Sequence, residues 1–240
     1  MQIIEWVQFL EDGLPGQKKS SMTIGIFDGV HRGHQALIER IVSRAETIPV
    51  VITFRKDESN SIQTFRQKAA MFELLGVKIL LVIDFTESFR RTAGIEFLEL
   101  LFKRGKIGYM AIGRNFRCGC QLDTGAEEIR DYFNARNIHV EIVPDVTEGS
   151  APVSSSRIRS AIAGGNLLQA REMLKFPYVI DLAMLPNLVL PPPGEYQAIL
   201  REKQKDAGTR ATIKVETGAI YIPEPFANLH WEFAEIEYSK

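Results

Sequence analysis

The chain has 240 residues, 45% of them hydrophobic and 25% charged, with a formal net charge of −1. That length holds one large domain, or one of ordinary size with a small companion. The near-zero charge argues against nucleic-acid and membrane-surface binders, and no apolar run approaches the about 18 residues of a membrane-spanning helix.

Met1-Gln2-Ile3-Ile4-Glu5 lacks the basic start of a secretory signal. Residues 3–10 are mixed apolar and read as a short strand and turn, and 14–19 as a polar loop. A buried strand over 22–27 then runs into Asp28-Gly29 and on to Val30-His31-Arg32-Gly33-His34. Gly29 accepts a positive φ at the turn, and Gly33 allows close backbone approach. His31 and His34, three apart, share one helical face. Imidazole donors beside a helix N-terminus suit a polyphosphate.

A helix over 35–46 carries Leu37, Ile38, Ile41, Val42 and Ala45 along one stripe and ends before Pro49. Next come a strand (50–54), a charged loop (55–60), a helix (64–75) with Gly76 as its cap, and a strand (77–85). The helix over 94–104 is expected to turn Ile95, Leu98, Leu101 and Phe102 inward. A strand over 109–113 leads into Arg114-Asn115-Phe116-Arg117-Cys118-Gly119, followed by a helix (126–136) and a strand (139–144). Cys118 and Cys120 are too close for an unstrained bridge, so free thiols in a reducing cytoplasm are expected. With no further cysteine, Cys-Gly-Cys is a poor metal site.

Apolar strands alternating with amphipathic helices specify a parallel sheet with helices on both faces. Ligands of such sheets sit beyond the carboxyl ends of the strands, where strand order reverses. Segments 28–34, 55–60 and 114–119 all follow strands and are expected to converge there. Val153-Ser154-Ser155-Ser156-Arg157-Ile158-Arg159 then opens another helix, with serines suited to its N-cap. Gly164-Gly165 breaks it, and 167–174 forms a further short helix. Beyond Pro177 come Pro186 and Pro191-Pro192-Pro193-Gly194, with short alternating strands at 196–200, 211–215, 219–223 and 231–238. A domain boundary is placed near residue 180, giving domains 1–180 and 181–240.

Two phosphate-binding patterns thus lie more than a hundred residues apart. One offers His31, His34 and a helix start; the other offers Ser155, Ser156, a second helix start and the bidentate fork of Arg159. Walker-type and G-x-G-x-x-G patterns are absent. Asn115 also reads as a simple turn residue. Arg55 and Lys56 read mainly as a solvated loop, Trp231 and Phe233 as packing residues, and His139 and His230 as structural or exposed.

Residues 22–34, Ile112-Gly113-Arg114-Asn115-Phe116-Arg117 and 153–159 resemble the adenylyltransferase module of prokaryotic bifunctional FAD synthetases. The first and third are that family's forms of the H-x-G-H and S-S-T-x-x-R motifs of nucleotidylyltransferases. The likeness runs from about residue 20 to 178. It implies a Rossmann-like nucleotidylyltransferase sheet with a small C-terminal β domain. It also implies AMP transfer from ATP to FMN, with Mg²⁺, giving FAD and pyrophosphate. His31, His34, Asn115 and Arg159 would then be catalytic. Gly25, Phe27, Asp28, Gly29, His31, Gly33, His34, Ser155, Ser156 and Arg159 would bind ATP, and Phe54, Arg55, Phe116 and Cys118 would face FMN. No protein-built metal site is implied, and ATP and FMN are the expected partners.

Two departures stand out. The family's Pro-His-Pro-like loop is replaced by Thr53-Phe54-Arg55-Lys56-Asp57-Glu58, and Cys118 stands where a phenylalanine is usual. Both fall on the acceptor side, which leaves open adenylyl transfer to another phosphorylated acceptor, or a non-catalytic flavin- or nucleotide-binding protein. The kinase motif Gly-x-Pro-Thr-Ala-Asn is missing, so 181–240 is expected to be a reduced riboflavin kinase-like barrel without kinase activity.

Overall fold

The computed structural model describes residues 1–55, 59–202, 208–227 and 231–237. The expectations for Lys56, His230 and Tyr238 lie outside the described residues. The chain divides into two compact units: the described parts of 1–27, 33–56 and 69–146 on one hand, and of 28–32, 57–68 and 147–240 on the other.

The first unit is built on a six-stranded parallel sheet. Its elements and their connections run β1 (Gln2–Glu5), α1 (Trp6–Asp12), β2 (Ser20–Ile24), α2 (Arg32–Val42), β3 (Ile48–Arg55), α3 (Phe65–Leu74) and β4 (Ile79–Asp84), then α4 (Gly94–Arg104), β5 (Ile107–Gly113), α5 (Ala126–Asn134) and β6 (His139–Val143). The spatial order is β1-β4-β3-β2-β5-β6, so strand order reverses between β2 and β5. The segments leaving β2, β3 and β5 therefore emerge from adjacent strands at the switch point. All five residues of β2 are buried, as a central parallel strand requires. Met22, Ile24, Val50, Ile52, Leu81, Met110 and Ile112 join Phe97, Leu98, Leu101 and Phe133 in one core.

Several expectations change. The second half of 3–10 is helix rather than turn, with Trp6 against Phe9 at 5.2 Å and Phe97 at 5.7 Å. Strand β2 stops at Ile24 instead of Phe27, because Phe27 (φ 55°), Gly29 (φ 87°) and Val30 (φ 34°) are left-handed and cannot extend a strand. In α4 the buried stripe is Gly94, Phe97, Leu98 and Leu101, an i, i+3, i+4, i+7 set. Ile95 and Phe102 flank that stripe and stay 54% and 38% exposed, which corrects their inward assignment.

The second unit carries a five-stranded antiparallel sheet: β7 (Val179–Asp181), β8 (Gly194–Glu202), β9 (Thr209–Glu216), β10 (Ala219–Tyr221) and β11 (Trp231–Ile236). Its order is β7-β11-β8-β9-β10. Ala211, Ile213 and Val215 of β9 alternate with exposed residues, giving one buried face. Helices α6 (Ser155–Ala163) and α7 (Leu167–Leu174) precede the sheet. Gly165, at φ 77°, supplies the break between them, and the Asn166 side chain caps α7 by accepting from Gln169 N at 3.1 Å.

Gly94 tests the packing of the first unit. A Cβ there would lie 2.1 Å from Thr124 Oγ1 and 2.4 Å from Thr124 Cβ. Replacing a helical glycine by alanine ordinarily gains about 1 kcal/mol. Here the clash is with a buried neighbour, so Gly94→Ala is expected to destabilise by about 1–3 kcal/mol in urea unfolding.

Candidate active site

Strand β2 delivers Gly25, Ile26 and Phe27 to the switch point. Thr53 of the neighbouring β3 donates its hydroxyl to Ile26 O at 3.3 Å, which ties the exit of β2 to the next strand. A Cβ on Gly25 would sit 3.2 Å from the Phe27 ring, so a small residue suits that position. Phe27 is buried, with its ring edge-on to His34 at 5.0 Å and to Phe72 at 5.5 Å. His34, in the first turn of α2, is thereby held by an aromatic contact.

The second unit holds the turn that follows, and its centre is Asp28. Asp28 Oδ2 accepts from Arg159 Nη1 at 2.6 Å. Oδ1 accepts from the backbone amides of Ile62 at 2.8 Å and Gln63 at 3.4 Å. Ser155 Oγ donates to the Asp28 carbonyl at 2.8 Å. The Asp28 side chain is only 12% exposed, and a carboxylate so placed requires donors of this kind. Gly29 closes the turn against Ile62, where a Cβ would approach Ile62 Cδ1 to 2.9 Å. Val30, a β-branched residue at positive φ, is strained, at about 1–3 kcal/mol for such a backbone.

Helix α6 begins beside this turn. Ser154 is its N-cap and accepts from Arg157 N at 3.3 Å, satisfying one first-turn amide; those of Ser155 and Ser156 have no intrahelical acceptor. Arg159 Nη2 donates to Ser156 Oγ at 3.3 Å. Arg157 is turned away onto the carbonyls of Ala151 (2.8 Å) and Pro152 (2.5 Å). Arg32 forms an ion pair with Glu148. Asp28, Ser155, Ser156 and Arg159 are thus brought together, although far apart in sequence. The hydroxyl of Ser155 is engaged by Asp28 O, and the Asp28 carboxylate by Arg159 and two amides. Those amide contacts of Ile62 and Gln63 had no sequence signal, since a backbone N–H leaves no mark on residue type.

His31 is 6% exposed, and burial pulls its pKa from 6.5 down to about 4. Its imidazole is therefore neutral at pH 7, a form with one N–H donor.

The acceptor-side candidates lie in the first unit. Phe54 is buried and packs edge-on to Phe85 at 5.8 Å. Arg55 ends β3 and pairs with Glu5 and Asp84, both at 2.9 Å. Asn115 is exposed after β5, and its amide reaches Asp145 at 3.4 Å. Phe116 is half-buried against the core, and Cys118 is buried within it. Burial pushes the Cys118 thiol up to about 12, so it is not a thiolate at neutral pH. Among the described residues, no three His, Cys, Asp or Glu side chains cluster as a metal site.

Comparison with known proteins adds the family. Residues 15–157, more than half of the chain, match the family model described as FAD synthetase. A protein named FAD synthetase from Listeria monocytogenes is 28% identical over 195 residues, covering 73% of this chain and 79% of its own. A bifunctional riboflavin kinase/FMN adenylyltransferase from Escherichia coli is 30% identical over 184 residues, covering 69% of this chain and 57% of its own. The chain therefore spans little more than half the length of that bifunctional relative. A crystal structure described as a macrolide-efflux protein from Streptococcus pneumoniae superposes with a TM-score of 0.80 over 98% of this chain and 89% of its own. At 22% identity, that match shows a shared fold.

The buried His31 makes stability depend on pH. Between pH 6.5 and 4 the unfolded chain binds a proton there that the folded chain does not, so stability falls as pH drops through this window. The full loss is about 3 kcal/mol, at about 1.4 kcal/mol per pH unit of depression. Urea unfolding at pH 7 and pH 4.5 is expected to show a steeper acid loss in the wild type than in His31→Gln. Equal losses in the two proteins would contradict this placement of His31.

Proposed function

Because the chain belongs to the FAD synthetase family, we propose that it transfers AMP from ATP to FMN, forming FAD and releasing pyrophosphate. The observation that carries the reading is the Asp28 junction, where Arg159 and Ser155 meet the turn that bears His31. Ser155 and Arg159, from one phosphate-binding pattern, thereby lie against Asp28 of the turn that opens the other.

The FMN phosphate is the nucleophile. A phosphomonoester's second pKa is about 6, so it is largely a dianion at pH 7 and needs no general base. One of its oxygens bonds to the α-phosphorus of ATP as the bond to the β-phosphate oxygen breaks, and pyrophosphate leaves with that electron pair. The protein's part is in-line positioning and neutralisation of charge on the transferring group. His31 donates an N–H to the triphosphate from its neutral imidazole. His34 acts as a second donor. Ser156, the amides that open α6, and Arg159 hold the β,γ end. Gly25, Phe27, Asp28, Gly29 and Gly33 shape the ATP side, and Asn115 organises the nucleotide. Phe54, Arg55, Phe116 and Cys118 belong to the acceptor side; as buried residues, Phe54 and Cys118 shape it through packing.

Mg²⁺ enters as part of MgATP. The Asp28 carboxylate is already taken up by Arg159 and two amides. Phosphate oxygens and water therefore supply the coordination, which suits this ion. The free Cys118 and Cys120 fit a reducing cytoplasm. Residues 181–240 are read as a reduced kinase-like barrel without kinase activity.

Incubation with MgATP and FMN is expected to yield FAD and pyrophosphate in equal amounts. Turnover with a different phosphorylated acceptor, or tight FMN binding without FAD, would refute the assignment. His31→Ala and His34→Ala are each expected to lower kcat by about 100- to 1,000-fold, the scale of losing one preorganised donor. Unchanged kcat in both would remove the histidines from the mechanism. Riboflavin with MgATP is expected to give no FMN; measurable FMN would overturn the reading of 181–240.

A further inference from the structure

The loop that supplies Ile62 N and Gln63 N to Asp28 is held from its other side by the C-terminal part of the second unit. Ser61 N donates to Asn187 O at 2.8 Å, and Val189 N donates back to Ser61 O at 2.9 Å. Thr64 Oγ1 donates to Asp181 Oδ2 at 2.8 Å. Arg66 forks onto the same carboxylate, Nε to Oδ2 and Nη2 to Oδ1, both at 2.5 Å. Gln67 Nε2 reaches Val179 O at 2.8 Å, and the Arg66 guanidinium stacks 4.6 Å above the Phe233 ring. Asp181 is fully buried at the end of β7, and Ala183 N donates to it as well, at 3.2 Å.

These bonds form a continuous path. Asp181 holds Thr64 and Arg66; residues 61–64 present two amides to Asp28; Asp28 holds Arg159. Release of the loop would strip Oδ1 of Asp28 of its donors, and a buried carboxylate cannot stay where its donors are lost. Arg159 would lose its anchored geometry with it. We infer that Asp181, acting with Thr64 and Arg66, is a positioning residue for the triphosphate clamp, so that the C-terminal element is a working part of the adenylyltransferase. This rests on the reading above that Arg159 holds ATP phosphates.

A merely structural role would lower the melting temperature but leave ATP affinity of the folded protein unchanged. Titration calorimetry of the full chain with MgATP separates the two cases, because it needs neither FMN nor turnover. Thr64→Val removes one hydroxyl from a buried site at nearly constant volume. It is expected to raise the Kd for MgATP about tenfold, the scale of one hydrogen bond to a charged group. Thr64→Ser, which keeps the hydroxyl, is expected to restore wild-type affinity, and Asp181→Asn to weaken binding at least as much as Thr64→Val. Wild-type affinity in folded Thr64→Val overturns the inference, whether or not Asp181→Asn folds. Equal weakening in Thr64→Val and Thr64→Ser also overturns it. A wild-type chain that binds no MgATP sinks the functional reading itself, and this inference with it.

Discussion

A single carboxylate organises the second unit. Asp28 lies just past the exit of the central strand, after Gly25, Ile26 and Phe27, and its two oxygens take a guanidinium and two backbone amides from segments that begin 34 and 131 residues further along the chain. A nearly buried anion tolerates no vacancy among its donors. Each hydrogen bond to such a charge contributes about 1.5–3 kcal/mol. The set is therefore strong enough to hold the left-handed backbone at Phe27, Gly29 and Val30, which the chain would not adopt in isolation.

That strained turn lies beside the residues proposed to bind ATP. The turn carries His31 at its end, and burial keeps this imidazole neutral. A neutral imidazole suits the donor role proposed for it, since in the proposed transfer the nucleophile arrives already ionised. Arg159 is fixed by Asp28 and Ser156, so its guanidinium is preorganised for the phosphate contact proposed for it.

The secondary structure was largely legible in the sequence because its patterns are local. Continuous apolar runs marked the parallel strands, and helix α4 was delimited correctly by its amphipathic repeat. Which faces were buried was less legible. Ile95 and Phe102 are as hydrophobic as Phe97, but burial follows the 94, 97, 98, 101 stripe facing the sheet. The helix at Trp6–Asp12 was missed because its seven residues carry too little period to read. Of the candidate site, His31, His34, Ser155, Ser156 and Arg159 are legible in the sequence as side chains with phosphate-binding chemistry. Asp28 was visible as a residue, but its task as the acceptor that joins three segments was not.

By itself, then, the sequence determined the alternation of strands and helices, the turn at Asp28-Gly29 and the chemical types of the candidate phosphate-binding side chains. Those properties depend on near neighbours, on apolar period and on the conformational freedom of glycine. Only the tertiary structure decided that the Asp28 carboxylate would be spent on Arg159 and the 62–63 amides, that Ser155 would bind a carbonyl, and that Asp181 would be buried against Thr64 and Arg66. Each of these pairs residues distant in the chain, and several use backbone groups that every residue possesses. Their choice follows from where the fold removes water, because a buried polar group must find the partner that lies beside it.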